Sequence, residues 1–243
     1  MPSSLHRPRK RFGQHFLHDP RVLAHIVDEL SPSETDHVVE IGPGEGALTH
    51  RLIDRVGELE VIEIDRDLAA RLEGVKGYQA DALEFDYSIF PKGVRLVGNL
   101  PYNISTPLLF HLARYADRVR DMHFMLQLEV VERMVAAPST SDYGRLSVAL
   151  QARFAMEKLF TVSRGAFRPP PKVESAVVRL TPLRAMLAID EDLLRRAFSA
   201  RRKQLRNALP GIDLAAAGID ARLRPENLSP ADYARLSALI ASR

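Results

Sequence analysis

Four short clusters in this 243-residue chain hold residue types that could do chemistry, and each follows an apolar run. The first is Glu40-Ile41-Gly42-Pro43-Gly44-Glu45-Gly46. Glycines there let the backbone turn tightly and approach a ligand with no Cβ in the way. Glu63 closes the next apolar run, at the distance where an acid binds both hydroxyls of a ribose. Asp81, in QADAL, is suited to accept a hydrogen bond from an adenine amine, or equally to cap a turn. Asn99-Leu100-Pro101-Tyr102 offers amide and carbonyl acceptors beside an aromatic ring, or an ordinary strand exit stopped by proline. Singly these are weak signals. Gly42, Gly44 and Ala47 also satisfy the dinucleotide pattern G-x-G-x-x-G/A, which keeps a nicotinamide enzyme in contention.

Such clusters need elements that bring them to one edge. HVVEIG, LEVIEID, GVKGYQAD, RLVGNLP and MHFMLQL read as strands, almost wholly apolar. Helical periodicity falls between and around them at 21–30, 47–55, 67–73, 106–115, 130–135 and 145–154. Nearly all-apolar strands alternating with helices predict a parallel sheet covered on both faces, a doubly wound α/β domain. In that architecture ligands bind at the carboxyl edge of the strands, where all four clusters lie. A β pair over 157–163 and 173–181 is joined by GAFRPPPKVES, whose three consecutive prolines hold an extended loop. From residue 183 helical pattern takes over, with helices expected at 192–209 and 232–240. The expected domains are therefore 1–182, with a basic arm at its start, and a small all-α domain over 183–243.

Composition narrows the function classes. With 46% hydrophobic and 27% charged residues the chain has enough apolar material for a sizeable core. No run of eighteen apolar residues exists, so no membrane span is expected. The start of the chain lacks the apolar stretch of a secretory signal, and a cytoplasmic protein is expected. There is no cysteine, which excludes disulfides, thiolate catalysis and cysteine-ligated metal. Net charge is only +3, but its distribution is uneven. Arg7, Arg9, Lys10 and Arg11 open the chain without an acid, and residues 183–243 carry 11 basic against 7 acidic side chains. Between them, residues 12–182 hold 19 basic against 24 acidic side chains. Basic ends around an acidic middle suit phosphate-backbone binding. The densest stretch holds Arg195, Arg196, Arg201, Arg202, Lys203 and Arg206 with no acid. On one continuous helix, Arg195, Arg202 and Arg206 would share a face, as an RNA-backbone contact would need.

Glu40-Ile41-Gly42-Pro43-Gly44, Asn99-Leu100-Pro101-Tyr102-Asn103-Ile104-Ser105-Thr106 and Phe167-Arg168-Pro169-Pro170-Pro171-Lys172-Val173-Glu174-Ser175 together resemble the ribosomal RNA adenine dimethyltransferases. Arg11-Phe12-Gly13-Gln14-His15-Phe16-Leu17 fits the motif at the start of that family. The ARRKQLRN and ENLS segments (200–207 and 226–229) fit its small-subunit branch. The resemblance covers nearly the whole chain. It implies a Rossmann-like class I S-adenosylmethionine-dependent methyltransferase fold. It also implies transfer of two methyl groups to each of two adjacent adenosines in the terminal hairpin of small-subunit RNA.

By the same resemblance, His15 and Leu17 close over the cofactor, and Gly42 and Gly44 line its amino-acid end. Glu63 binds its ribose, Asp81 its adenine amine, and Asn99 sits where cofactor meets target. Many relatives carry Asn where this chain has His15. Asn99 and the Leu100 carbonyl would accept hydrogen bonds from the target amine, Pro101 would fix the loop, and Tyr102 and Phe167 would stack on an extruded base. Phe167 has a plainer alternative as a core residue. Contacts with RNA are expected from Arg7, Arg9, Lys10, Arg11, Arg195, Arg201, Arg202, Lys203 and Arg206. Small-subunit RNA, within a partly assembled 30S particle, is the expected partner of a monomer. No metal is expected, and His15 and His18 beside Asp19 read as structural or solvated histidines. Alternatives are a large-subunit methyltransferase of the macrolide-resistance type, and a nucleic-acid-binding assembly or transcription factor of the same fold.

Overall fold

A computed structural model describes residues 15–72 and 74–242. In chain order its elements begin with the short strand β1 (Phe16–Leu17), helix α1 (Pro20–Leu30), β2 (His37–Ile41) and α2 (Thr49–Leu52). There follow β3 (Glu58–Glu63), α3 (Arg66–Ala69), β4 (Lys76–Gln79), β5 (Val94–Asn99), α4 (Ser105–Leu112), β6 (Val119–Gln127), α5 (Leu128–Val135) and α6 (Arg145–Gln151). The last are β7 (Phe154–Val162), β8 (Phe167–Arg168), β9 (Ser175–Pro182), α7 (Glu191–Ser199), α8 (Leu205–Ala208) and α9 (Pro230–Ala241).

Seven strands form one sheet in the order β4-β3-β2-β5-β6-β9-β7. The five strands from β4 to β6 are parallel, and β9 runs antiparallel to β6. The run of the chain reverses direction across the sheet between β2 and β5. That is the switch point, where the loops leaving two neighbouring strands part and open a crevice. The two-residue strands β1 and β8 pair separately, Leu17 opposite Phe167.

Helix α1 starts on Asp19, whose carboxylate accepts from the Arg21 and Val22 amides, with Pro20 at its first position. Its apolar stripe, Leu23, Ile26, Val27 and Leu30, packs in one core with Val38 of β2, Val97 of β5, Met125 of β6 and Val177 of β9. Beneath that core the buried Arg95 guanidinium donates to Asp121 at 2.9 and 3.0 Å, to Asp36 at 2.7 Å and to the Leu30 carbonyl at 2.6 Å. The lower ends of β5, β6 and α1 are thereby locked together. Removing one partner of so buried a cluster would leave an uncompensated charge.

The chain divides into two compact units. One takes the described residues up to Val131 together with Glu157–Thr181, and the other takes Glu132–Met156 with Pro182–Arg243. The division expected at 182/183 therefore needs correcting, because residues 132–156 fold with the C-terminal helices. The cause is burial: Tyr143 and Val148 lie in one core with Leu193, Leu194, Tyr233 and Leu236. The Tyr143 hydroxyl also donates to the Leu228 carbonyl at 2.9 Å.

A second correction concerns the helix expected over 192–209. It breaks into α7 and α8, with a turn at 200–204 between them. The apolar spacing continues across the break because Leu205 and Ala208 are buried on α8. Periodicity alone does not register the turn.

Candidate active site

A cavity opens at the carboxyl edge of β2 to β6 and gathers the clusters picked out above. After β2, Gly42 and Gly44 take φ of +68° and +59°, a conformation side chains resist, and the loop turns back over the strand ends. The Gly42 amide donates to the Ile62 carbonyl at 2.9 Å. The Gly44 amide donates to Glu63 Oε2 at 3.2 Å, and the Asp65 amide to Glu63 Oε1 at 2.9 Å. Glu63 is thus fixed by backbone donors, while each oxygen keeps a lone pair for a diol. Burial raises its carboxyl above the usual range, against those two hydrogen bonds.

Asp81 also lines the cavity. Its Oδ1 accepts from the Leu83 amide at 2.9 Å, so it does cap the following turn. The cap uses Oδ1 alone, and Oδ2 belongs to the same cavity-lining carboxylate.

Asn99 ends β5 and donates its side-chain N–H to the His15 carbonyl at 2.8 Å. That bond fixes the amide's orientation and leaves Oδ1 as its acceptor. The next loop turns at once into α4, with the Pro101 carbonyl accepting from the Ile104 amide at 3.2 Å and the Ser105 hydroxyl at 2.9 Å. Tyr102 is half-buried and shares a 2.6 Å hydrogen bond with the Ser175 hydroxyl. Burial raises its phenol above the ordinary value, so the ring stays neutral. The His15 ring lies 5.4 Å from that of Tyr102, and its Nδ1 donates to the Pro169 carbonyl at 2.8 Å. His15, Leu17, Gly42, Gly44, Leu100 and Pro101 all border the same cavity.

Several residues of the cavity wall were given no role of their own in the sequence, Glu40 and Ile64 among them. Glu40 is 2% exposed and its Oε2 accepts from the Thr49 hydroxyl at 2.6 Å. Burial pushes its carboxyl up to about 7, with the Thr49 hydrogen bond opposing the rise and the Glu63 charge adding to it. The available signal was an acid inside an otherwise apolar strand. Ile64, 44% exposed beside Glu63, supplies flat apolar surface to the cavity. Its neighbours in sequence gave no hint of this.

Other expectations fall elsewhere. Phe167 is not part of the cavity wall: it is 2% exposed and packs with Leu17, Leu23 and Val177. Phe167 stands on β8, which pairs with β1, and its burial favours the plainer of the two readings given for it, a core residue. Arg7, Arg9, Lys10 and Arg11 lie outside the described residues.

Arg195, Arg202 and Arg206 do not share a helical face, because α7 ends at Ser199. Nor is this stretch free of acids in space. Arg195 pairs with Asp192 at 2.8 Å, and Arg201 donates to Glu226 and to the Ser141 carbonyl, both at 2.6 Å. Arg202, Lys203 and Arg206 are exposed and have no acidic partner among the described residues. His37, Glu58 and Glu60 are the one metal-like group among the described residues. They sit at the start of β2 and on β3, away from the carboxyl edge. Glu60 is already engaged by Lys76 at 2.6 Å, Tyr78 at 2.7 Å and His37 at 2.7 Å.

The arrangement can hold an adenosine through Glu63, Asp81 and Ile64, and can present acceptors to an amine at Asn99. Comparison with known proteins bears on which reaction this serves. The model of the family described as "Ribosomal RNA adenine dimethylase" matches residues 5–242. A ribosomal RNA small subunit methyltransferase A from Aromatoleum aromaticum is 55% identical over 256 residues, covering 99% of this chain and 97% of that protein. Among solved structures, a dimethyladenosine transferase from Plasmodium falciparum superposes with a TM-score of 0.81 at 26% identity, covering 94% of this chain and 98% of the other. The 23S rRNA methyltransferase ErmE superposes with a TM-score of 0.70 at 27% identity, covering 93% and 99%.

Proposed function

The chain belongs to the ribosomal RNA adenine dimethylase family, and from that premise we propose how its site works and on what. It is a small-subunit ribosomal RNA adenine dimethyltransferase with a Rossmann-like methyltransferase fold. It transfers methyl groups from S-adenosylmethionine to the exocyclic amines of two adjacent adenosines in the 3'-terminal hairpin of 16S RNA, giving N6,N6-dimethyladenosine. The small-subunit relative that is 55% identical over 99% of this chain supports this reading over the large-subunit alternative. A nicotinamide enzyme has no comparable support.

The observation that carries the mechanism is the orientation of Asn99. With one N–H of its amide engaged by His15, the orientation is fixed and Oδ1 is left as an acceptor for a donor in the cavity. When bound, S-adenosylmethionine supplies a methyl already made electrophilic by sulfonium. The amine is the difficult partner, because its lone pair is delocalised into the adenine ring. Asn99 Oδ1 and the Leu100 carbonyl accept its two N–H bonds and favour a pyramidal nitrogen. Pro101 holds the loop and Tyr102 stacks on one face of the extruded base. Positioning, not proton abstraction, supplies most of the rate.

The cavity suits the cofactor on its own evidence. Glu63 presents a backbone-fixed carboxylate for the ribose, Asp81 an acceptor for the adenine amine, and Gly42 a backbone free of Cβ for the amino-acid end. No metal enters this scheme. Arg202, Lys203 and Arg206 are assigned to the RNA backbone in the second unit, and Arg7, Arg9, Lys10 and Arg11 to it in the first arm. A partly assembled 30S particle in the cytoplasm is the substrate we favour, since the hairpin is made where ribosomes are built. A monomer is the state we favour. The test is a titration with S-adenosylmethionine and with NADH, followed by labelled-methyl transfer to separated ribosomal subunits. Binding of the first ligand alone and label in the small subunit are expected; label in the large subunit sinks the assignment.

A further inference from the structure

His123 is a buried polar residue to which the mechanism above gives no work. It lies on β6, is 2% exposed, and borders the inner part of the cavity. Among the described residues Nε2 has no hydrogen-bond partner, and Nδ1 has only Asp121 Oδ1 nearby, at 3.6 Å. Buried polar atoms in folded proteins are nearly always paired, so an unpartnered Nε2 on a cavity wall points to something that enters the cavity.

Its position in the sheet says what. Glu40 of β2 is the lateral partner of Val97 of β5, and Val97 is the lateral partner of His123 of β6. The three side chains therefore leave the same face in one row. Two strand spacings put the Glu40 and His123 Cα atoms roughly 10 Å apart. Both side chains border the same cavity, under Leu23 and Ile26 of α1.

The chemistry offered by each can be read from its neighbours. Glu40 Oε2 accepts from the Thr49 hydroxyl, and no side chain among the described residues is bonded to Oε1. The His123 Nδ1 is 3.6 Å from Asp121 Oδ1, two residues earlier on the same strand face. Asp121, which Arg95 also holds, is the acceptor that an N–H on the nearer nitrogen would meet. Nε2 is then a lone-pair acceptor on the cavity side. Two acceptors across a valine, one of them an acid raised by burial, match a donor that carries positive charge and several N–H bonds. A primary ammonium fits; a carboxylate does not.

We propose that His123 and Glu40 together hold the α-ammonium of the methyl donor, with His123 as a specificity-determining residue for that group. This rests on the cofactor assignment above. It adds a second strand to the recognition of the amino-acid end, which the glycine loop alone reads only through its backbone.

The test compares two thioether ligands by calorimetry: S-adenosylhomocysteine and its counterpart lacking the amine. The protein should prefer the amine-bearing ligand, and His123→Leu should lose about tenfold in affinity for it while binding the deaminated ligand unchanged. Equal losses for both ligands, or an undiminished preference, would overturn the role of His123. Failure of the unaltered protein to bind either ligand would instead remove the cofactor assignment, and this proposal with it. Should His123→Leu not fold, the imidazole 15N resonances of the unaltered protein serve. Nε2 is expected to shift with the amine-bearing ligand and not with the deaminated one, and equal response to both overturns the proposal.

Discussion

Asn99 donates its side-chain amide to the main-chain carbonyl of His15, 84 positions earlier, at 2.8 Å. The contact joins the end of β5 to the segment before β1 and decides which way the amide faces. It also explains how His can stand where many relatives have Asn. The carbonyl serves Asn99 whatever the side chain is, while the imidazole is used on the Pro169 carbonyl.

Asn99→Asp keeps the shape but cannot donate to His15, and it sets two acceptors against a carbonyl. Single-turnover methyl transfer is expected to fall by about 100-fold or more, the scale for losing one aligned polar group in an active site. The Kd for S-adenosylmethionine should change far less. A collapse in cofactor affinity with transfer from the bound complex intact would assign Asn99 to binding alone.

Glu40 ties cofactor affinity to pH. Its folded carboxyl titrates at about 7, above the ordinary 4.5. The free protein is therefore favoured at low pH, and this contribution is lost as pH rises through 7. A cation bound beside Glu40 favours the ionised form, so binding below pH 7 releases a proton. Affinity for S-adenosylmethionine should rise by up to about tenfold per pH unit between about 5 and 7, then level off. Glu45, Glu63, Asp81, His15 and His123 border the same cavity, so Glu40→Gln is the control that isolates the effect. A slope that survives Glu40→Gln assigns the proton elsewhere.

Phe167 tests the division between core and site. Phe167→Ala should destabilise the protein by about 3–5 kcal/mol, and Phe167→Leu considerably less. Transfer by Phe167→Leu should stay within a few-fold of the unaltered enzyme, followed by thermal melting alongside kinetics. A hundredfold loss with an unchanged melting curve would restore the stacking role.

The strand ends were legible because parallel strands buried on both faces advertise themselves as apolar runs, and sequence order then placed their exits on one edge. Glu40, Gly42, Glu63, Asp81 and Asn99 converge for that reason. Phe167 was left between two readings because an aromatic beside prolines looks alike in a loop and in a core until its strand partner is known. Residues 132–156 were assigned to the wrong unit because Tyr143 is buried with Leu193 and Tyr233, far away in sequence. His123 was read only as part of a strand, since its meaning depends on a row of side chains crossing three strands.

The basic cluster divides by partner. Arg202, Lys203 and Arg206 have no acidic partner among the described residues, whereas Arg195 and Arg201 hold Asp192 and Glu226. Replacing the first three by Ala should weaken binding to the 16S hairpin within small subunits and lower the slope of log affinity against log salt by about two to three. Arg195→Ala should leave that slope nearly unchanged. Equal slopes for both variants would move the RNA contact off this segment.

The central claim is the identity of the product. Small subunits lacking this modification would be incubated with the protein and labelled S-adenosylmethionine, and their RNA digested and mapped by mass spectrometry. The account predicts N6,N6-dimethyladenosine at two adjacent positions of the 3'-terminal hairpin, absent with Asn99→Ala. Label confined to large-subunit RNA, or none despite measurable cofactor binding, would contradict it.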